Sequence, residues 1–268
     1  MSNDVSSTRR FDPGLGIHFD PQGFRFTYDA DMFGPPNAEY RRLDAIRASL
    51  HDPQCTGPDP VYAIAMDVGR SDDAAELKRR MLLYGVVAYA KGRLGKGPVR
   101  SQGHIHGIAP HCGWSTPELV EIWEGKAIVY LQKTVADDPE YCVAVEAEPG
   151  DVVVIPPAWG HCIINADPER EMVFGAFCDR EYRFVYEDVR RRGGLAWFAR
   201  YGEGDKLEWT PNPSYQHSAL TVRSARSYPE FQLDRESSIY EQFAADPKRL
   251  QWVSEPAIYG DLWENFQP

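Results

Sequence analysis

The sequence predicts an all-β protein made of short strands, and three observations support this class. Between residues 61 and 180, apolar stretches of strand length follow one another and are separated by turn residues. The chain has 22 glycines and 21 prolines, a turn-rich composition that suits a β protein better than a helix bundle. Hydrophobic residues form 43% of the 268 residues, enough for a sizeable core. We therefore expect a sandwich or barrel.

The first 60 residues predict an arm followed by a helix. Residues 1–37 are rich in Pro, Gly and Asp and contain one strand-like stretch, Phe24–Tyr28. Asn37 is a suitable cap for a helix over Ala38–Leu50. The apolar positions of that helix fall at helical spacing, namely Tyr40, Leu43, Ile46 and Leu50.

Residues 61–180 predict the β core. A short charged helix is expected at Asp73–Arg80, and Glu124-Gly125-Lys126 is expected to form a turn within one of the strand patterns. The predicted strands are, in order, Val61–Val68, Met81–Arg93, Val99–His106, Leu119–Thr134, Tyr141–Ala147, Asp151–Ile155, His161–Asn165 and Met172–Cys178.

Residues 181–268 predict a short helical extension packed on the core. Ser238–Ala244 and Pro247–Val253 have the pattern of short helices, and the C-terminal stretch keeps Trp263 and Phe266. A free tail seldom carries such large aromatic residues, so we expect it to dock. The three segments, 1–60, 61–180 and 181–268, are expected to form one structural domain.

Charge and cysteine usage narrow the function classes. The chain has 29 Lys and Arg against 40 Asp and Glu, a net charge of −11 that argues against general nucleic-acid binding. The first ten residues lack the apolar core of a signal peptide, and the apolar run Met81–Ala90 is too short for a membrane span. Five cysteines without CxxC spacing indicate reduced thiols, and we expect a cytoplasmic protein.

Two histidines and a glutamate have the spacing of metal ligands. His104 and His106 lie two residues apart, so on a strand both side chains point to the same face. Glu118 opens the next apolar strand and shares a face with Val120, whereas Glu121 lies on the opposite face.

A second segment supplies a third histidine. Gly150 permits a tight turn, a Val/Ile run follows, and Pro156-Pro157 ends the ladder of hydrogen bonds. His161 then begins another strand, which ends at Asn165.

These two segments resemble the two motifs of the cupins. The first reads HxH, a gap, Glu, six residues and Gly, and the second contains the Gly, Pro, His and Asn described above. The resemblance implies a cupin jelly-roll β-barrel. It also implies one divalent metal per subunit, held by His104, His106, Glu118 and His161.

Within the cupins, the chain resembles the cupin-type glucose-6-phosphate isomerases of archaea and some bacteria over residues 40–215. The residues that carry the likeness are Ser101-Gln-Gly-His-Ile-His106, Glu118 to Lys126, Glu148 to Asn165 and Phe177-Cys-Asp179. It implies a homodimeric, metal-dependent aldose–ketose isomerase of a sugar phosphate, with glucose 6-phosphate and fructose 6-phosphate as the expected pair. Fe(II) is the expected metal, with Mn(II), Ni(II) and Zn(II) as alternatives.

The same resemblance suggests roles for individual residues. Glu118 would act as both ligand and proton-transferring base, through an enediol or beside a competing hydride shift, and His161 would belong to the catalytic centre. Tyr182 would supply a catalytic hydroxyl. The residues expected to bind the substrate are Tyr84, Arg100, Ser101, Gln102, Gly103, Arg180 and Arg183.

The sequence departs from the family pattern around the substrate. Ile108 stands where the family usually has Lys, and Val120 where it usually has Tyr. The stretch between His106 and Glu118 is longer by about five residues. Three alternatives therefore stay open: an isomerase of a modified or unphosphorylated sugar, a cupin Fe(II) dioxygenase, and a non-catalytic sugar-binding cupin.

Overall fold

The computed structural model describes residues 11–268, and its two largest β-sheets face each other. The strands of the N-terminal and central parts are β1 (Ile17–Asp20), β2 (Arg25–Tyr28), β3 (Met32–Phe33), β4 (Glu39–Arg41), β5 (Tyr62–Met66), β6 (Gly69–Arg70), β7 (Leu82–Tyr89), β8 (Arg93–Leu94), β9 (Gly97–Pro98), β10 (Ile105–His106), β11 (Glu118–Glu124) and β12 (Ala127–Gln132). The remaining strands are β13 (Cys142–Ala147), β14 (Val152–Ile155), β15 (Gly160–Asn165), β16 (Met172–Asp179), β17 (Phe184–Val185), β18 (Trp197–Tyr201), β19 (Leu207–Pro211) and β20 (Leu220–Ser224).

The larger sheet has the order β14-β11-β16-β7-β5-β4, and the smaller has the order β15-β12-β13-β20. All pairings within them are antiparallel except that of β13 with β20, which is parallel. The all-β jelly-roll prediction is confirmed, as two opposed sheets. No strand pairing in residues 11–268 closes them into one ring.

The helices are short and lie outside the two sheets. The α-helices are α1 (Leu43–Ile46), α2 (Ala74–Arg79), α3 (Glu187–Arg191), α4 (Ile239–Ala245) and α5 (Gly260–Glu264). The 3-10 helices are Arg47–Ser49, Ser71–Asp73, Glu203–Asp205, Pro229–Phe231, Pro247–Val253 and Pro256–Tyr259. No helix of the described chain is long and apolar enough to cross a membrane.

The helix predicted over Ala38–Leu50 is wrong in its first part. Glu39–Arg41 forms strand β4 at the edge of the larger sheet, and only Leu43–Ile46 is α-helical. Leu43 and Ile46 are buried, so the helical spacing does describe a core face. For Glu39–Arg41, pairing with β5 outweighs the local preference for a helix. This is a tertiary effect, so it cannot be seen in the local sequence pattern.

Two further strand predictions need correction. Val99–His106 forms a strand only at Ile105–His106, because the rest of the segment pairs through isolated bridges. The N-terminal strand Phe24–Tyr28 is observed as β2, but it pairs with β1 in a hairpin that the sequence did not indicate. The prediction for residues 1–10 lies outside the described residues.

The larger sheet separates two apolar layers. In β7, Tyr84 and Val86 pack on the outer face against the C-terminal helices, whereas Val87 faces the space between the sheets. Trp252, of the Pro247–Val253 helix, is fully buried in the outer layer. Alternation along each strand therefore decides which residues can reach the inner cavity.

The C-terminal extension was predicted to be helical. It also contains strands, because β17 to β20 belong to residues 181–268. Strand β20 joins the smaller sheet, although its residues are mostly exposed. The predicted helices are confirmed in place. Ser238 caps α4: its hydroxyl accepts from Glu241 N, and the Glu241 carboxylate accepts from Ser238 N, both at 3.1 Å.

The C-terminal aromatic residues dock, as expected. Trp263 and Phe266 are buried, and Trp263 Nε1 donates to the Pro256 carbonyl at 2.9 Å. Phe231 stacks on Trp252 with ring centroids 4.2 Å apart.

All five cysteines are free thiols.

Candidate metal centre

Four side chains from separate parts of the chain meet between the sheets. Their donor atoms, from His104, His106, Glu118 and His161, all lie within 4.8 Å of one another. Glu118 Oε2 lies 3.3 Å from His106 Nε2 and 3.6 Å from His161 Nε2. The structure therefore brings together all four residues that the sequence predicted as metal ligands.

The imidazoles are oriented by backbone carbonyls. His106 Nδ1 donates to the Thr116 carbonyl at 2.8 Å, and His161 Nδ1 donates to the Trp159 carbonyl at 3.1 Å. With the proton on Nδ1, each Nε2 keeps its lone pair. The Nε2 atoms of His104, His106 and His161 are buried and have no hydrogen-bond partner among the described residues.

The protonation states suit a cation. Burial would raise the pKa of Glu118, but the neighbouring His106 and His161 outweigh it and hold that pKa well below its usual range. Burial, followed by the neighbouring His161, lowers the pKa of His104 well below its usual value. A carboxylate and neutral imidazoles are the forms that bind metals. Three nitrogens and one oxygen fit a divalent transition ion.

The centre lies in a mainly apolar cavity of about 80 Å³. Its polar lining outside the metal ligands comes from Arg41, Tyr62, Ser101 and Tyr186. The apolar lining includes Ile64, Val87, Tyr89, Ile163, Phe174, Ala176 and Phe184. Phe184 covers the centre, with its ring centroid 4.3 Å from that of His104.

Arg41 and Tyr186 line this cavity although the sequence analysis missed them. Arg41 donates from Nη2 to Glu39 at 2.7 Å, and its buried Nε has no partner in residues 11–268. Arg41 fell within a predicted helix, so no sequence signal marked it. Tyr186 follows Tyr182 by four residues, and the aromatic spacing of that segment was the available signal.

The residues from Arg100 to Gly103, which precede His104, do not all reach the metal-centre cavity. Ser101 lines the cavity, and its hydroxyl accepts from Ile163 N at 3.1 Å. Gln102 is buried and accepts from Arg190 Nε at 2.9 Å. Gly103 has φ +88°, and an added Cβ would lie 3.0 Å from Leu195. Arg100 lines a different cavity.

The structure does not place the predicted tyrosines in this cavity. Tyr84 lies on the outer face of β7 and packs on Phe177 and Tyr240 at centroid distances of 4.6 and 5.0 Å. Tyr182 is half-buried and packs on Phe184 from outside the lining, at 4.8 Å.

The predicted arginines lie outside the cavity as well. Arg180 forms a two-pronged ion pair with Asp67, with both distances 2.8 Å. Arg183 is exposed on the surface. Neither residue lines the cavity, and their role in holding a substrate stays a prediction.

The two departures from the family pattern have different surroundings. Val120 is fully buried between the sheets, in the interior cluster that continues from the cavity. Ile108 is 64% exposed and does not line the cavity. The longer segment after His106 is tied back by Ser115, whose hydroxyl donates to the His106 carbonyl at 2.6 Å.

The solved structures that match this chain overlap only part of it. An oxalate oxidase matches with a TM-score of 0.35 and 16% identity, covering 47% of this chain and 54% of its own. An oxalate decarboxylase from Bacillus subtilis matches with a TM-score of 0.34 and 19% identity, covering 49% of this chain and 28% of its own. This chain thus spans about half of the oxidase and under a third of the decarboxylase. A comparison with curated proteins found no match.

The family comparison covers both metal motifs. The model described as glucose-6-phosphate isomerase (GPI) matches residues 41–215, which include every candidate metal ligand and most strands of both sheets. The region begins at Arg41 in the cavity wall and ends at Tyr215. The chain belongs to the glucose-6-phosphate isomerase family.

Proposed function

We propose that this protein is a metal-dependent aldose–ketose isomerase of a sugar phosphate, with glucose 6-phosphate and fructose 6-phosphate as its substrate pair. The observation that carries the proposal is the set of three unpartnered Nε2 atoms and one carboxylate directed at a single point. Family membership supports the reaction class.

His104, His106, Glu118 and His161 would hold the ion, with Fe(II) as our first choice and Mn(II), Ni(II) and Zn(II) as alternatives. A bound divalent ion supplies Lewis-acid polarisation of the substrate carbonyl and neutralises developing negative charge. His106 and His161 are buried, whereas His104 and Glu118 are partly buried.

Glu118 is the proposed proton carrier. Its carboxylate would take the proton from C2 of the aldose, giving an enediolate, and would return a proton to C1, while the proton on O2 moves to O1 to give the ketose. The low pKa keeps Glu118 ionised, so its carboxylate is free to accept a proton in the resting site. His161 acts through its contact with that carboxylate.

Arg41 is the proposed anchor for the substrate anion. Its guanidinium is part of the cavity lining, only one of its nitrogens is engaged by Glu39, and Tyr186 lies on the same lining. Burial raises the pKa of Tyr186, so the phenol stays neutral and can donate to a phosphate. Ser101 offers a further hydroxyl from the segment before His104.

Substrate entry requires movement of the segment over the centre. The volume of about 80 Å³ is far below the roughly 300–1,000 Å³ of small-molecule sites. Phe184 and Tyr186 lie against His104, at centroid distances of 4.3 and 5.6 Å. Rotating these two side chains would widen the cavity while the backbone pairing of Phe184 with His106 is kept.

We also propose a homodimer. Strand β20 is an edge strand of the smaller sheet, and Val222 within it is 47% exposed. Edge strands with exposed apolar groups commonly pair with another chain. Light scattering on a sizing column would give the mass, and a monomer at micromolar concentration would contradict this assignment.

The deciding experiment is proton NMR of fructose 6-phosphate in heavy water with the metal-loaded protein. We expect glucose 6-phosphate to appear with deuterium at C2, and a chelated sample to be inactive. Conversion without deuterium would replace the proton route by a hydride shift. No conversion with metal bound, followed by turnover of another sugar or by oxygen uptake, would overturn the proposed substrate or reaction.

A further inference from the structure

A second cavity on the molecule collects basic side chains. It has a volume of about 470 Å³, within the range of small-molecule sites. Its walls are the loop after the Arg47–Ser49 helix, the β8–β9 hairpin and strand β18. Its charged or titratable lining residues are His51, Asp52, Lys96, Arg100 and Arg200.

Arg100 is the central observation, because it is a buried cation without an anion. Its side chain is only 5% exposed, and no carboxylate of residues 11–268 lies within 4.0 Å of its guanidinium. Nε donates to the Ser101 carbonyl at 2.8 Å and Nη2 to the Gln102 carbonyl at 3.2 Å. Buried charges are usually paired, so this cation suits an anionic ligand that enters the cavity.

The surroundings strengthen the positive potential. Lys96 and Arg200 also form no ion pair within 4.0 Å among the described residues, although Glu208 lies opposite Arg200 in the β18–β19 register. Asp52 is the single carboxylate in the lining, and its Oδ1 accepts from Gln54 N at 3.0 Å. The lining therefore contains three basic side chains, Lys96, Arg100 and Arg200, and a single carboxylate, Asp52.

We infer that this cavity is a second binding site, for a phosphate-bearing small molecule. Guanidinium groups match phosphate oxygens in pairs, and Lys96 adds a point charge. The apolar part of the wall, with Leu50, Leu94 and Phe198, leaves room for an organic body beyond the phosphate. The inference does not depend on the isomerase proposal.

The site is connected to the metal centre through the backbone. The two carbonyls that Arg100 holds belong to Ser101 and Gln102, and His104 follows directly. An anion on Arg100 would stabilise this segment from the side opposite to the metal. Binding is therefore expected to raise the melting temperature of the metal-loaded protein.

Acylation of lysines with an N-hydroxysuccinimide acetate, quantified by mass spectrometry, tests the site directly. On the metal-loaded protein, we expect inorganic phosphate or glucose 6-phosphate to reduce labelling of Lys96 at least fivefold, while exposed Lys248 is unchanged. If inorganic phosphate protects Lys96 from labelling, the free ion is sufficient for binding. Protection by glucose 6-phosphate alone shows that the organic body is needed.

Two variants give the test its controls. Arg200→Gln should weaken phosphate binding measured by calorimetry at least tenfold, whereas Arg191→Gln, an exposed arginine on α3, should bind as the unmodified protein does. Arg41→Gln should leave Lys96 protection intact. Equal labelling of Lys96 with and without both phosphates, or loss of protection in Arg41→Gln, would overturn the inference.

Discussion

His104 and His161 exchange two backbone hydrogen bonds, each 3.0 Å long, although 57 positions of numbering separate them. This isolated antiparallel bridge places the two imidazole centroids 4.3 Å apart. The relative position of two candidate metal ligands is therefore set by backbone pairing rather than by side-chain rotation alone. Such rigid support favours a site organised before the metal binds.

Glu118→Gln should remove both a ligand charge and the proposed base. We expect metal affinity to fall at least tenfold and turnover to fall roughly 10²- to 10⁴-fold, the usual contribution of a general base. Metal content by plasma mass spectrometry and NMR turnover would measure both. Glu146→Gln, an exposed residue of β13, is the matched control. Full turnover in Glu118→Gln would contradict the assignment.

Gly103→Ala should disturb the metal centre more than Gly113→Ala. Both glycines have positive φ, at +88° and +72°, so each substitution costs about 1–2 kcal/mol of backbone strain. At Gly103 the added Cβ would also lie 3.0 Å from Leu195, whereas at Gly113 nothing lies within 4 Å. Thermal unfolding and metal titration would compare the two, and equal metal affinities would argue against a positioning role for Gly103.

Arg41→Gln should separate substrate binding from chemistry. If Arg41 holds the phosphate, KM for the sugar phosphate rises about tenfold or more, while kcat changes little, because the interaction is made equally in ground and transition states. Arg42→Gln is the control, since Arg42 is an exposed neighbour outside the cavity lining. An unchanged KM in Arg41→Gln would assign the phosphate to other donors.

Glu121 should make the stability of the protein depend on pH. Burial raises its pKa from 4.5 to about 8, although the Ile239 N–H and Trp123 Nε1 hydrogen-bond to its carboxyl at 2.9 and 3.3 Å. Between these pH values the folded protein keeps a proton that the unfolded chain releases. This contribution is complete below pH 4.5 and is lost as the pH rises to about 8, at about 1.4 kcal/mol per pH unit.

Glu121→Gln mimics the neutral acid and should flatten that dependence. We expect its unfolding free energy to exceed that of the unmodified protein by a margin that grows from pH 5 to pH 8. Urea unfolding at several pH values would measure the margin. Parallel curves for the two proteins would show that Glu121 titrates normally.

The chemistry of the site was readable from the sequence because it depends on short-range spacing. The two-residue period of extended backbone puts His104 and His106 on one face, and the resemblance to the two cupin motifs added Glu118 and His161 as ligands. The alternation that separates Glu118 from Glu121 held in the structure, where the first faces the metal centre and the second contacts α4. The strand and turn pattern of residues 61–180 gave the fold class by the same local rules.

Tertiary structure alone decided which other residues accompany the metal ligands. Arg41 reaches the cavity because β4 pairs with β5, and Tyr84 leaves it because β7 turns that side chain outward. Arg100 was expected beside the substrate but lies across the backbone, facing the second cavity. Local sequence determines that alternate residues of a strand lie on opposite faces. Which of the two faces lines the cavity depends on how the strand pairs with distant strands, and spacing along the chain does not reveal that pairing.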